Sequence, residues 1–184
     1  PFDLTFYAVR ADDLAHGEAL ELESLVGNEA WRAWASVERV LLTEAMAPHV
    51  PSQPWIDRSV AYKRRQQRES PPVRRFLAMV GGQPAAMVGY APFAGCDLGI
   101  DAPGVLVRLR DVGVLPAYRR RGLGRALLRG LAVRAIEEVG ATQVLICGAA
   151  QGAPAALYRS AGAIPIARCV LFAGHLKAEP EVAP

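Results

Sequence analysis

The sequence predicts a mixed α/β fold, with a central sheet flanked by helices in a single domain. Three observations lead there. The 184 residues, 52% of them hydrophobic, suffice for one substantial core and leave little for a second. Apolar residues recur in strand-like runs and at helical spacing in turn. The elements so marked follow the order βααβββαβαβ, which implies a mixed sheet. No apolar run reaches about 18 residues, so no membrane-spanning helix is expected.

Thr5 to Val9 reads as a strand, and Asp12-Asp13 as a turn that starts a helix. Leu22, Leu25 and Val26 give a helical apolar face ended by Gly27. Asn28 caps a second helix, on which Trp34, Val37, Leu41 and Ala45 recur at helical spacing. Pro48, Pro51 and Pro54 then interrupt regular structure, and the basic stretch that follows is helical around Tyr62 to Arg68. Phe76 to Val80 and Ala85 to Tyr90 are strands joined by Gly81-Gly82-Gln83. After a loop from Pro92 to Gly104 comes a longer strand, Val105 to Val114. Gly122 to Val139 is a helix with a broad stripe of Leu127, Leu128, Leu131, Ala132, Ala135 and Ile136, and Gly140 ends it. Gln143 to Cys147 is an almost wholly apolar strand, as suits one covered on both faces. Pro154 opens a short helix through Ala161, stopped by Gly162. Ile164 to Phe172 is the last strand and 173–184 a tail, so the domain is expected to span 1–172.

Twenty-one Lys and Arg against 18 Asp and Glu give a net charge of +3, but the distribution is uneven. Residues 1–46 are acidic, whereas 57–75 hold seven basic and two acidic side chains and 108–134 hold eight Arg against Asp111. Two basic stretches suggest an anionic ligand. The three cysteines, Cys96, Cys147 and Cys169, form no CxxC pair and stand apart from His16, His49 and His175. Neither a disulfide framework nor a metal site is expected. No basic lead into an apolar stretch marks the N-terminus, so a cytoplasmic location is expected.

The stretch Asp111-Val112-Gly113-Val114-Leu115-Pro116-Ala117-Tyr118-Arg119-Arg120-Arg121-Gly122-Leu123-Gly124-Arg125 carries the chemistry. A strand runs into an Arg/Gly loop, and the loop opens a helix whose N-terminal N–H groups and dipole favour an anion. No GxxxxGK[ST] string occurs, and Leu127 stands where a GxGxxG fingerprint needs its third glycine. Arg119-Arg120-Arg121-Gly122-Leu123-Gly124 instead matches (Q/R)xxGx(G/A) and resembles the pyrophosphate loop of the GNAT superfamily of acyl-CoA-dependent N-acetyltransferases. Val114 to Arg119, the apolar strand at Leu145-Ile146-Cys147 and the run Leu157-Tyr158-Arg159-Ser160-Ala161-Gly162 extend the resemblance. It covers 74–172 well and 1–73 by element order. Gln151 and Ala163 depart from the common pattern of an Asn and an aromatic residue.

The resemblance implies a strand that splays from its neighbour at a bulge, with the backbone of Val112, Gly113 and Val114 receiving the pantetheine arm of acetyl-CoA. Arg119, Arg120, Arg121, Gly122, Leu123, Gly124 and Arg125 would hold the pyrophosphate, and Gln151 would touch the cofactor. Tyr158 would donate a hydrogen bond to the departing thiolate; the alternative is a core aromatic. Asp111 would be the general base, or else a salt-bridged structural residue beside Arg108 or Arg110. Arg64, Arg65 and Arg68 form a solvated face or contact an acidic ligand. Trp31 and Trp34 read as core, while Trp55, Asp97 and Asp101 are candidates for the acceptor side.

The implied activity is acetyl transfer from acetyl-CoA, without a metal, to a primary amine of a small molecule or peptide. The alternative is a non-catalytic acyl-CoA-binding regulatory module. No helix-turn-helix, zinc spacing or RNP-like strand supports a nucleic-acid partner, and no membrane partner is expected. A homodimer is left open.

Overall fold

In the computed structural model, which describes residues 2–47, 51–69, 73–93 and 104–171, strand β1 (Phe2–Arg10) leads into helix α1 (Ala11–Ala15), strand β2 (Leu22–Ser24) and helices α2 (Gly27–Ala45) and α3 (Gln53–Gln66). Strands β3 (Arg74–Val80), β4 (Gln83–Phe93) and β5 (Val105–Val114) follow, then helix α4 (Leu123–Val139), strand β6 (Ala141–Ala149), helix α5 (Gly152–Ser160) and strand β7 (Ile164–Leu171). The strands make one seven-stranded sheet in the order β2-β3-β4-β5-β6-β1-β7. All neighbours are antiparallel except β5 and β6, which run parallel through the crossover of α4. This is the mixed, helix-flanked α/β sheet that the sequence predicts.

Helices pack on both faces. On one, Tyr7, Val107, Leu109, Val144 and Ile146 of the sheet meet Leu127, Leu128 and Leu131 of α4 and Tyr158 of α5. On the other, Trp31, Trp34 and Val37 of α2 meet Leu77 and Met87. The expected stripe of α4 is the buried one, and each fully buried leucine is worth about 1.5–3 kcal/mol. Among the described residues no helix is long and apolar enough to cross a membrane.

Three segments differ from the reading of the sequence. Leu22 to Ser24 form an edge strand on β3, not part of a helix. The stretch before Gly27 is too short for a helical face: Leu22 and Leu25 are buried, in separate clusters, while Val26 is exposed. Helix α3 begins at Gln53 and carries Pro54 in its first turn, where the missing N–H has no helical acceptor to lose. Helix α5 likewise begins before Pro154, at Gly152. Proline opens these helices where the sequence suggested a break in one case and a later start in the other. His49, Cys96, Asp97, Asp101, His175 and the tail 173–184 lie outside the described residues.

Residues 17–22 run against α4, with the Leu20 N–H donating to the Ala126 carbonyl at 3.0 Å. A Cβ at Gly130 would come within 2.3 Å of the Leu20 carbonyl oxygen, a backbone atom that cannot swing away. Gly130→Ala is therefore expected to cost about 1–3 kcal/mol through overpacking. Urea unfolding should show a lower midpoint with little change in slope.

Candidate active site

The site begins where β5 changes partners. β5 pairs with β6 only from Val105 to Arg108. Beyond Leu145, β6 keeps its ladder with β1 and diverges from β5. On the opposite edge the register with β4 slips. Met87 faces Gly113 and Gly89 faces Arg110, so Asp111 and Val112 together oppose Val88. This is a β-bulge, and Asp111 takes a left-handed φ of 50° within it. The inner edge of β5 from Asp111 to Val114 thus faces a cleft of about 1420 Å³ instead of a strand. Val112 and Val114 pack against the core and also line the cleft. At Gly113 helix α2 comes so near that a Cβ would meet Leu41 Cδ1 at 2.3 Å.

Beyond Val114 a short 3₁₀ turn at Pro116–Tyr118 carries the chain into the arginine loop. Gly122, at φ 79°, is the N-cap of α4 and accepts hydrogen bonds from the Arg125 and Ala126 N–H groups. The N–H groups before them have no helical carbonyl to meet, which leaves an anion-attracting end on the cleft. Arg120, Arg121 and Arg125 are exposed there, with no carboxylate partner among the described residues. Arg119 is used differently. Its Nε donates to the Val114 carbonyl at 2.9 Å, and its guanidinium makes two hydrogen bonds to Glu44 near the end of α2. Those bonds raise the Arg119 pKa and lower that of Glu44. The side chain clasps the loop to β5 and α2.

Tyr158 reaches the same cleft from α5, 7% exposed. Its ring lies on β6 at Gly148, where a Cβ would stand 2.6 Å from Cε2. It also lies 5.7 Å from the Tyr7 ring. Burial pushes the phenol pKa up, and Cys147 and Tyr7 act in the same direction. The cleft thus brings together Asp111, Val112 to Val114, Arg119 to Arg125 and Tyr158. Gln151 is not among its lining residues: it is the exposed N-cap of α5, and Ala153 and Pro154 line the cleft in its stead.

At the bulge end the cleft meets a buried charge network. Arg75, 2% exposed, donates from Nε to Asp111 Oδ2 at 2.7 Å and also binds the Lys63 carbonyl and Gln66 Oε1. Its path crosses β4 at Gly89, where a Cβ would stand 3.2 Å from Arg75 Cγ. Lys63 Nζ lies 3.1 Å from Asp111 Oδ1 and 2.5 Å from Glu38 Oε1. Glu38 is fully buried and accepts from Trp34 Nε1 at 3.0 Å and Ser59 Oγ at 2.9 Å. Asp111 therefore pairs with Arg75 and Lys63, not with the neighbouring Arg108 or Arg110. Glu38, Lys63 and Arg75 are functional candidates that the sequence reading missed. Their signal was present: Glu38 follows Trp34 by four residues, and Lys63 follows Ile56 by seven, so each falls on the inward stripe of its helix. Arg64 and Arg65, by contrast, meet Asn28, Glu69 and the ring of Tyr62 near the surface.

Residues 29–163 match the model of the Acetyltransferase (GNAT) family. The chain belongs to that family. Among solved structures, a functionally unknown conserved protein from Staphylococcus epidermidis shares 14% identity at a TM-score of 0.65 over 91% of this chain and 59% of its own. A GCN5-related N-acetyltransferase from Kribbella flavida shares 22% at 0.54, over 90% and 55%. The aminoglycoside N-acetyltransferase AAC(6')-Iy, solved with the bisubstrate analogue CoA-S-monomethyl-acetylneamine, shares 14% at 0.62, over 86% and 99%. At such identities the likeness is one of fold. The chain spans little more than half the length of the first two. No curated protein matches the sequence.

Within this GNAT fold the charges at the bulge have a definite sign of effect on stability. Burial alone would push the Asp111 carboxyl up, but the charges and hydrogen bonds of Lys63 and Arg75 outweigh it and hold the carboxyl below its usual range. A carboxylate with a depressed folded-state pKa adds stability above its unfolded pKa, about 3.9, and that stability fades as pH falls through the folded value. Asp111→Asn leaves Arg75 buried against a neutral amide and is expected to cost about 3–5 kcal/mol at pH 7. Its unfolding midpoint should also fall less steeply than the wild type's between pH 5 and acid, in urea titrations of both proteins.

Proposed function

We propose that the chain is an N-acetyltransferase, a domain over 1–172 that moves an acetyl group from acetyl-CoA to a primary amine of a small molecule or peptide. One observation carries the reading. The open edge of β5, the arginine-rich helix start and Tyr158 line one cleft, and these are the parts that an extended thioester with a pyrophosphate would need. Asp111 lies at the bulge and Arg120 to Arg125 follow the far end of β5, so the two ends of the open edge carry different chemistry. Backbone groups of Val112, Gly113 and Val114 would pair with the amide-bearing arm as a strand does. The α4 N-terminus with Arg120, Arg121 and Arg125 would take the pyrophosphate. The solved AAC(6')-Iy structures hold CoA and a CoA-linked analogue, which supports this choice of ligand.

The amine nitrogen must be neutral to attack the thioester carbonyl, and a lysine-like amine has a pKa of about 10.4. Asp111 is a weak base, since two cations occupy its oxygens and hold it ionised. We assign it the part of anchoring the bulge, and the amine proton departs to solvent. Tyr158 stays a neutral phenol. Full proton transfer from a phenol of pKa 10 to a thiolate of pKa 8.5 is uphill by about 2 kcal/mol even before burial raises the phenol further. A hydrogen bond to the departing sulfur is the contribution the side chain can make.

The occupied state of Asp111 also favours a second reading, a module that binds acyl-CoA without turnover. Calorimetry with acetyl-CoA together with a CoA-release assay over an amine panel separates the two: binding without turnover supports the module.

Tyr158→Phe should lower kcat about 10²–10³-fold while leaving the Kd for acetyl-CoA nearly unchanged; undiminished turnover would remove the tyrosine from the chemistry. With no enzyme base, kcat/KM should rise with pH up to the pKa of the acceptor amine. Two acceptors whose amines differ in pKa should give midpoints that differ by the same interval, whereas a common midpoint near pH 6–7 would reveal a protein base.

A further inference from the structure

Helix α2 runs beside the open edge of β5 and reaches it at three successive points. Glu38 acts through Lys63 on Asp111, Leu41 lies on Gly113, and Glu44 acts through Arg119 on Val114. The first contact matches buried charges and the second is apolar packing. The third is different. Glu44 is the last residue but one of α2, where the carbonyl end of the helix dipole disfavours a carboxylate. Its side chain is 47% exposed, so neither burial nor helix formation accounts for it. An exposed ion pair contributes little unless its geometry is a fork on a fork. That is the geometry here: Arg119 Nη1 and Nη2 donate to Glu44 Oε1 and Oε2 in turn.

What the pair holds is the end of the open strand edge. The Leu115 N–H donates to the Ala85 carbonyl, beside β4, at 2.9 Å. A trans peptide points its N–H and C=O in opposite directions. The Val114 carbonyl of the same peptide therefore faces away from β4, on the open side. Arg119 Nε donates to that carbonyl at 2.9 Å, so a ligand arm pairing with β5 finds this acceptor already filled. Arg119 also begins the Arg/Gly loop that leads to the N-cap Gly122. Its guanidinium is spent on Val114 and Glu44, whereas Arg120, Arg121 and Arg125 meet no carboxylate among the described residues.

We infer that Glu44 is a positioning residue of the acyl-CoA site: it holds Arg119 on the Val114 carbonyl, which ends the pairing edge of β5 there and fixes where the arginine loop starts. Arg119 is then a clasp and not a ligand of the pyrophosphate. The inference rests on acyl-CoA binding, which the transferase and the module share, and needs no turnover.

The sign of one substitution tests it. Glu44→Gln removes a negative charge from a cleft that receives an anion. A carboxylate that only carried charge, or only kept Arg119 off the pyrophosphate, would on removal leave acetyl-CoA binding unchanged or tighter. Loss of a positioning residue should instead weaken binding about 3- to 10-fold, read as Kd by calorimetry at a temperature where urea titration shows both proteins folded. Arg119→Lys, whose ammonium lacks the planar fork, should weaken binding to a similar degree. The double variant should bind no worse than Arg119→Lys alone, because the two residues act as one unit. A Kd for Glu44→Gln equal to or below that of the wild type overturns the inference, even if its unfolding midpoint falls, since a merely structural bond moves the midpoint alone. Additive losses in the double variant overturn it as well. A wild-type chain that binds no acetyl-CoA overturns the acyl-CoA reading itself, an outcome distinct from both.

Discussion

A β-strand's two edges are both hungry for hydrogen bonds, and β5 satisfies them unequally along its length. Near Val105 it is held by β4 and β6 alike; past Arg108 it parts from β6 and keeps only β4. Parting two strands in mid-sheet exposes backbone groups that would otherwise be paired, and the fold sustains it through the bulge at Asp111. The extra residue turns the strand, and the cations of Arg75 and Lys63 hold the turned carboxylate in place. Everything at the site is referred to this departure. The exposed edge makes one wall of the cleft, α4 starts at its far end, and α5 lays Tyr158 on β6 across the gap.

The network that holds the bulge joins four elements distant in the chain: Glu38 from α2, Lys63 from α3, Arg75 from β3 and Asp111 from β5. Taking four charges out of water is costly, and the cost is offset only when each is matched and hydrogen-bonded. Here they are matched in sign and number. The same matching has a chemical consequence, since a carboxylate held ionised between two cations is a weak base. Structural and electrostatic roles are thus tied together at the bulge end of the cleft.

Much of the fold was legible because its determinants are local. The bounds of β5 and the stripe of α4 follow from periodicity, and both fall where expected. The arginine loop is contiguous in sequence, so strand, loop and helix start declare themselves together. The errors came where local signals compete. Leu22 to Val26 could pair helically or as an edge strand, and only β3 beside them decided it. Pro54 could break a helix or open one. The basic stretch 57–75 looked uniform, yet Lys63 and Arg75 turn inward while Arg64 and Arg65 stay outside. Gln151 sits in the expected segment, as the exposed N-cap of α5, and is not among the residues that line the cleft.

The sequence by itself determined the mixed α/β class, the family resemblance and the Arg/Gly segment that opens α4, because each rests on local patterns along the chain. It also placed Tyr158 on a short helix after an apolar strand. The tertiary structure decided what Asp111 is bonded to, which basic residues face the cleft and how charge is balanced at its bulge end. Those depend on register: Arg75 lies opposite Gly89, and Gly89 opposite Arg110. A strand alignment of that kind is set by the packing of whole elements, and no local stretch of sequence contains it.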